Sequence, residues 1–95
     1  MPDKGYTLKI ITEDKVFYEG TVVSAVAPGE RGYLGILANH APLVTTLVPG
    51  KLYFRDRSEK EFRYRVEKGF LEVLANHVTV LTEKISELEA QPMAS

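Results

Sequence analysis

Apolar and polar residues alternate along much of this chain with a period of two. The clearest case is Phe62, Tyr64 and Val66 interleaved with Glu61, Arg63, Arg65 and Glu67, the pattern of a strand with one face buried and one wet. The same reading predicts strands over residues 7–12, 16–19, 21–27, 33–37, 44–48, 51–55, 70–74 and 77–82, all rich in β-branched and aromatic side chains. Turn signals separate them: Glu13-Asp14-Lys15, Pro28-Gly29, Ala38-Asn39, Pro49-Gly50, Asp56 to Lys60, and Asn76. Short strands at this regular spacing, with no helical period between them, predict an all-β antiparallel sandwich or barrel. Past Thr82 the pattern changes. Ile85 and Leu88 stand three apart, as on one face of a helix, which predicts at most a short C-terminal helical turn that Pro92 would end.

A nine-residue phrase occurs twice, as Gly32-Tyr33-Leu34-Gly35-Ile36-Leu37-Ala38-Asn39-His40 and as Gly69-Phe70-Leu71-Glu72-Val73-Leu74-Ala75-Asn76-His77, offset by 37 residues. Each copy reads as a strand opened by Gly and closed by Asn, a residue that tolerates a left-handed backbone. Two copies are too few for a solenoid, which needs about three. Two related strand pairs facing one another suit a sandwich.

Length and charge narrow the function classes. Ninety-five residues bury one core and leave no room for a second catalytic lobe. Twelve Lys and Arg against thirteen Asp and Glu give a net charge of −1, which argues against an electrostatic grip on nucleic acid or on an anionic bilayer. With no cysteine there is no disulfide or thiolate site, so stability must come from packing. No apolar run approaches the ~20 residues of a spanning helix, and the N-terminus lacks a signal peptide's apolar stretch. The expectation is a cytosolic or peripheral protein.

Candidate chemistry is sparse. His40 and His77, the two histidines, each follow Ala-Asn, and with no further His or Cys to complete a ligand set the structural reading is favoured over a metal or an acid–base pair. The acidic pairs Glu13 with Asp14 and Glu59 with Glu61 lie in polar segments where carboxylates are solvated. The stretch from Pro28 to Gly35 carries glycines but lacks the Lys-Ser/Thr ending of a phosphate loop. What remains there is one acid, one base and one aromatic, read equally well as a polar contact surface or as a hairpin connection. Ala41-Pro42 excludes a helix, so Leu43 and Leu47 belong either to an uncovered sheet edge, which a partner would cover, or to the core. The basic run from Arg55 to Lys68 is interrupted by Asp56, Glu59, Glu61 and Glu67 and reads as a solvated hairpin.

The run from Gly32 to Leu43 resembles the epsilon-subunit family of the bacterial F-type ATP synthase, the equivalent of the mitochondrial delta subunit. The similarity continues through Val48-Pro49-Gly50, Gly69-Phe70-Leu71-Glu72-Val73, Asn76-His77-Val78-Thr79-Val80-Leu81, Leu8-Lys9-Ile10-Ile11-Thr12 and Val16-Phe17-Tyr18-Glu19-Gly20. It thus covers nearly all of residues 7–82. The resemblance implies a flattened ten-stranded antiparallel sandwich over residues 1–82 with a short tail over 83–95. It implies a place at the foot of the rotor's central stalk, between the gamma subunit and the ring of c subunits, coupling ion translocation to ATP synthesis. The ring-facing loop then falls on Glu30, Arg31, Gly32 and Tyr33, and the gamma-facing surface on His40, Ala41, Pro42, Leu43 and Val44. No active site, cofactor or metal is implied. The resemblance makes the other synthase subunits indirect partners and the location peripheral, on the cytoplasmic face of the bacterial plasma membrane or the equivalent side of an energy-transducing membrane. Two departures stand out. Many relatives carry Pro-Gly before the His where this chain has Ala38-Asn39, and the family's C-terminal pair of helices has only about thirteen residues here to occupy, so neither a nucleotide site nor a helix-insertion brake is expected. From the residues alone, a free-standing adaptor or ligand-binding sandwich, or a small hydrolase using His40, are the rival readings.

Overall fold

The computed structural model describes residues 5–88. They form nine strands: β1 (Tyr6–Ile11), β2 (Val16–Gly29), β3 (Gly32–Ile36), β4 (Leu43–Leu47), β5 (Gly50–Asp56), β6 (Glu61–Val66), β7 (Gly69–Leu74), β8 (His77–Thr82) and β9 (Ile85–Glu87). The described residues contain no helix. β1 runs parallel to β8; the other pairings among the described residues are antiparallel.

The segments expected separately at 16–19 and 21–27 are one strand, β2, and it organises the fold. Its first half pairs with β1, from Ile11 opposite Val16 to Tyr6 opposite Val22. Its second half has β3 on one flank and β5 on the other. The register slips between Val22 and Ser24, and such a bulge bends a strand enough to pass it from one layer to the next. One layer therefore runs β3-β2-β5-β6-β9 and the other β1-β8-β7-β4, and the two rejoin where Leu47 of β4 meets Gly29 of β2.

Alternation places the core between the layers. Tyr6, Leu8 and Ile10 of β1, Leu71 and Val73 of β7, and Val78 and Val80 of β8 point inward and are buried, facing Val22, Leu52, Phe54 and Val66. Under the second layer an aromatic cluster fills the gap: Phe54 stacks on Phe62 with centroids 4.8 Å apart, and Tyr18 packs 4.7 Å from Phe54. Phe62 does face the core, but it is only half-buried; Phe54 is the fully buried ring. The Tyr6 hydroxyl donates to the Ile36 carbonyl at 2.6 Å, and burial pushes its pKa up.

The helical turn expected after Thr82 is absent from the described residues. Ile85 pairs with Val66, Ser86 with Arg65 and Glu87 with Tyr64, so the sandwich continues past residue 82 along the edge of β6. Two interactions outweigh the helical spacing. The buried Thr82 hydroxyl accepts from the Glu67 N–H at 3.1 Å and has the carbonyls of Glu67 and Lys84 within 3.1 Å, which turns the chain back. The edge of β6 then offers unpaired backbone groups to the next segment, and Ile85 covers part of the core. Residues 1–4 and 89–95, including the rest of the expected tail and Pro92, lie outside the described residues.

The two repeat glycines are needed for different reasons. Gly32 has φ +123° with open space around it, so it serves the turn's backbone, whereas a Cβ on Gly69 would overlap the Leu81 carbonyl of the neighbouring strand.

Candidate docking surfaces

The segment from Glu30 to Tyr33 closes the β2–β3 hairpin. The turn sits at Glu30-Arg31, not at Pro28-Gly29, which are buried residues of β2. Pro28 pairs with Tyr33 of β3, two residues past Val26, where the pairing of β2 with β5 ends. The tip is pinned from β4, since the Glu30 N–H donates to the Thr46 carbonyl at 3.0 Å and the Val48 N–H to the Pro28 carbonyl at 2.9 Å. The Tyr33 ring is 57% exposed, and its hydroxyl accepts from the Lys51 N–H at 3.3 Å. Glu30 and Arg31 are both exposed, so a charged pair is presented on a short, braced turn.

The segment from His40 to Val44 lies at the other end of the same strands, about 13 Å away along the five residues of β3 at roughly 3.3 Å per residue. Asn39 takes φ 66°, and the His40 N–H donates to the Leu37 carbonyl at 3.2 Å. His40 Nδ1 lies 2.8 Å from the Ala41 carbonyl, a contact that needs the proton on Nδ1. Ala41 and Pro42 are exposed. Leu43 packs against the core and Leu47 is fully buried, so the core reading of both leucines is correct. The edge reading survives in part: β4 pairs with β7 along one flank, but among the described residues its other flank meets β2 only at Leu47.

The segment is continuous with a larger surface that reading the chain alone missed. The outer side of the β1-β8-β7-β4 layer carries Val44 at 69% exposure, Phe70 at 57%, Leu74 at 55% and Leu81 at 45%. Register arranges them in rows. Thr46, Phe70, Leu81 and Ile11 lie opposite one another across four strands, and Val44, Glu72, Thr79 and Lys9 form the next row. Beside the apolar row lies a groove of about 490 Å³, lined by Ile11, Thr46, Phe70 and Leu81 with Lys68 and Glu83 at its mouth; those two charges stand 3.8 Å apart. Exposed apolar side chains gathered on one sheet face mark interaction sites; here Ile11, Phe70 and Leu81 share a row, and the row of Val44, Glu72, Thr79 and Lys9 stands between them and Leu74. A signal for it exists in the chain: Phe70-Leu71-Glu72-Val73-Leu74 and Val78-Thr79-Val80-Leu81 are apolar on both strand faces, and only one face of each can enter the core.

The two histidines follow asparagines that meet across the loops. His77 is exposed at the start of β8 opposite Leu74, and among the described residues no group of three or more His, Cys, Asp or Glu side chains gathers as a metal site would require. The basic run is an exposed face of β5 and β6, where Arg63 pairs with Glu61 at 2.7 Å and Arg65 with Glu67 at 3.2 Å, as expected of a solvated hairpin.

Comparison with known proteins gives a consistent result. Residues 5–87 match the family described as ATP synthase, Delta/Epsilon chain, beta-sandwich domain. The ATP synthase epsilon chain of Chlorobium limicola is 39% identical over 84 residues, covering 88% of this chain and 96% of that one. The epsilon chain of Leptospira borgpetersenii is 47% identical over 76 residues, covering 80% of this chain but only 59% of the relative. Among solved structures, a chain of the Euglena gracilis mitochondrial ATP synthase superposes with a TM-score of 0.84 at 24% identity, over 92% of this chain and 55% of that chain. A chain of the Tetrahymena thermophila mitochondrial ATP synthase central stalk and c-ring superposes at 0.73 with 19% identity, over 85% and 65%. At such identities these two likenesses speak to the fold.

Proposed function

We propose, because this chain belongs to the ATP synthase delta/epsilon chain family through its β-sandwich domain, that it is a non-catalytic subunit of the synthase rotor. In this reading it is held between the gamma subunit and the ring of c subunits on the membrane's coupling side, and it carries rotation from one to the other so that ion flow drives ATP synthesis. The observation that carries the proposal is the apolar outer face of the β1-β8-β7-β4 layer, running on from His40, Ala41, Pro42, Leu43 and Val44. A free-standing domain gains nothing by leaving Phe70, Leu74, Leu81 and Val44 in water, whereas each becomes favourable once a partner covers it, at about 25 cal/mol per Å² of apolar area.

The chemistry fits two different contacts. The gamma side is broad, apolar and sheet-like, suited to a lasting interface. The ring side is the narrow tip at Glu30, Arg31, Gly32 and Tyr33, whose acid and base suit polar pairing with the loops of a ring. Between them the packed sandwich acts as a stiff spacer, because close-packed interiors transmit strain instead of absorbing it.

Tagged chain, co-expressed with gamma and c subunits, should retain both in constant ratio. Val44→Asp should release gamma, while Glu30→Lys with Arg31→Glu should weaken the ring contact and leave gamma bound. Retention of neither partner by the unaltered chain would remove the proposal and favour an unrelated adaptor.

A further inference from the structure

The repeated phrase has a consequence in space: its two asparagines meet. Asn76 Oδ1 accepts from the Asn39 backbone N–H at 2.6 Å, and Asn76 Nδ2 donates to Asn39 Oδ1 at 3.1 Å. The 37-residue offset of the repeat thus brings equivalent positions of the two copies face to face. Asn76 is itself anchored, since its carbonyl accepts from the Thr7 N–H of the β1 segment at 3.0 Å. On the other side, Asn39 belongs to the connection between β3 and β4, where Asn39, Ala41 and Pro42 are exposed and Pro42 has no N–H to donate.

Both asparagines have left-handed backbones, φ 66° at Asn39 and 62° at Asn76. That alone would account for Asn or Gly at each position. It does not account for the aim of the side chains, which point at each other across two different loops and satisfy four polar groups there. A glycine at position 76 would serve the dihedral angle and make neither of these bonds.

We propose that Asn76 is a positioning residue, clamping the β3–β4 connection to the β7–β8 turn and so fixing where His40, Ala41 and Pro42 stand as the chain enters Val44. This rests on the reading of that segment as the gamma-facing surface. Its use is pre-organisation: a connection already held in its bound shape loses less conformational freedom when a partner docks. The clamp also ties the segment to β7 and β8, which carry Phe70, Leu74 and Leu81, so that loop and apolar face are presented as one body.

The test compares Asn76→Gly and Asn76→Asp in the whole chain, by amide hydrogen exchange and by affinity for purified gamma subunit. Asn76→Gly keeps the backbone angle and removes the amide, so the Asn39 amide should exchange about three- to tenfold faster, the range for one or two accessible hydrogen bonds, with β1 and β5 unchanged. Asn76→Asp keeps the acceptor for that N–H and should restore most of the protection. Affinity for gamma should fall with Gly and recover with Asp in the same order. Unchanged exchange at Asn39 in Asn76→Gly would overturn the clamp, because a purely conformational role predicts that result. Faster exchange with unchanged affinity would overturn the positioning role. If the unaltered chain fails to bind gamma while the exchange difference stands, it is the rotor reading that has failed and not the clamp. Asn39→Gly keeps the backbone N–H bond to Asn76 Oδ1 and loses only the Oδ1 acceptor, so it should match Asn76→Asp in affinity; a loss as large as that of Asn76→Gly would count against the proposal.

Discussion

The two outer faces of the sandwich obey the same alternation and differ in what they turn toward water. On β5 and β6 the outward positions are Lys51, Tyr53, Arg55, Glu61, Arg63 and Arg65, with Arg55 and Arg63 both close to Glu61 and Arg63 over the Tyr53 ring. On β4, β7 and β8 they include Val44, Phe70, Leu74 and Leu81. Both faces overlie the same core, so burial cannot explain the contrast. The charged face is complete as it stands, its ions solvated and loosely paired. The apolar face is the one that the proposed function has a partner cover. Period-two patterning therefore tells which side of a strand is inside, and the composition of the other side tells whether the domain works alone.

The largest effect should come from the interior that both faces share. Phe54→Ala removes the fully buried ring of the aromatic cluster and should cost about 3–5 kcal/mol, enough to unfold a domain of ordinary stability. Phe62→Ala, at a half-buried ring, should cost clearly less, and thermal melts of the two would invert that order only if the cluster were centred elsewhere. Next comes the seam of the apolar face. Gly69→Ala drives a methyl group into the Leu81 carbonyl and should destabilise by about 1–3 kcal/mol, whereas Gly35→Ala, with open space at its Cβ, should melt within about 0.5 kcal/mol of the parent.

Much of this architecture was legible in the chain. The alternation at Phe62, Tyr64 and Val66 located β6, and the strands of the repeat fell where the structure has β3 and β7. The misses have local causes. Gly20 looked like a break in β2, but a strand that changes layers can carry a glycine without ending. Pro28-Gly29 looked like a turn because those residues usually make one, yet β2 runs on through them to pair with β3, and the turn falls at Glu30-Arg31. Ile85 and Leu88 had helical spacing, and an open edge on β6 together with the Thr82 hydroxyl decided otherwise. For the surfaces, the exposed character of the Glu30-Arg31 tip could be read from composition. The apolar face was signalled by strands apolar on both sides, Phe70 to Leu74 and Val78 to Leu81, but its layout exists only once register brings Phe70 beside Leu81 and Thr46.

The smallest effect separates the charged hairpin from everything else. Asp56 Oδ1 accepts from the Ser58 N–H, the Ser58 hydroxyl and the Lys60 N–H, and the Ser58 hydroxyl above all holds its carboxyl below the ordinary 3.8. A carboxyl lowered on folding contributes stability above its unfolded value and loses it as pH falls through the folded one. The β5–β6 turn should therefore keep its shape down to about pH 4 and loosen below it, seen as a shift of the Ser58 and Lys60 amide resonances. Asp56→Asn should abolish that acid step, and the apolar face should not respond to either change.

The central claim is that one face is built to be covered and the other is not. The direct measurement is the affinity of purified gamma subunit for Phe70→Asp and for Arg65→Ser, with each variant's melting temperature recorded alongside. The account predicts that Phe70→Asp weakens binding at least tenfold, as loss of an interface anchor worth about 1.4 kcal/mol or more would, while both variants melt close to the parent and Arg65→Ser binds normally. Undiminished binding by Phe70→Asp, or a loss confined to Arg65→Ser, would contradict it.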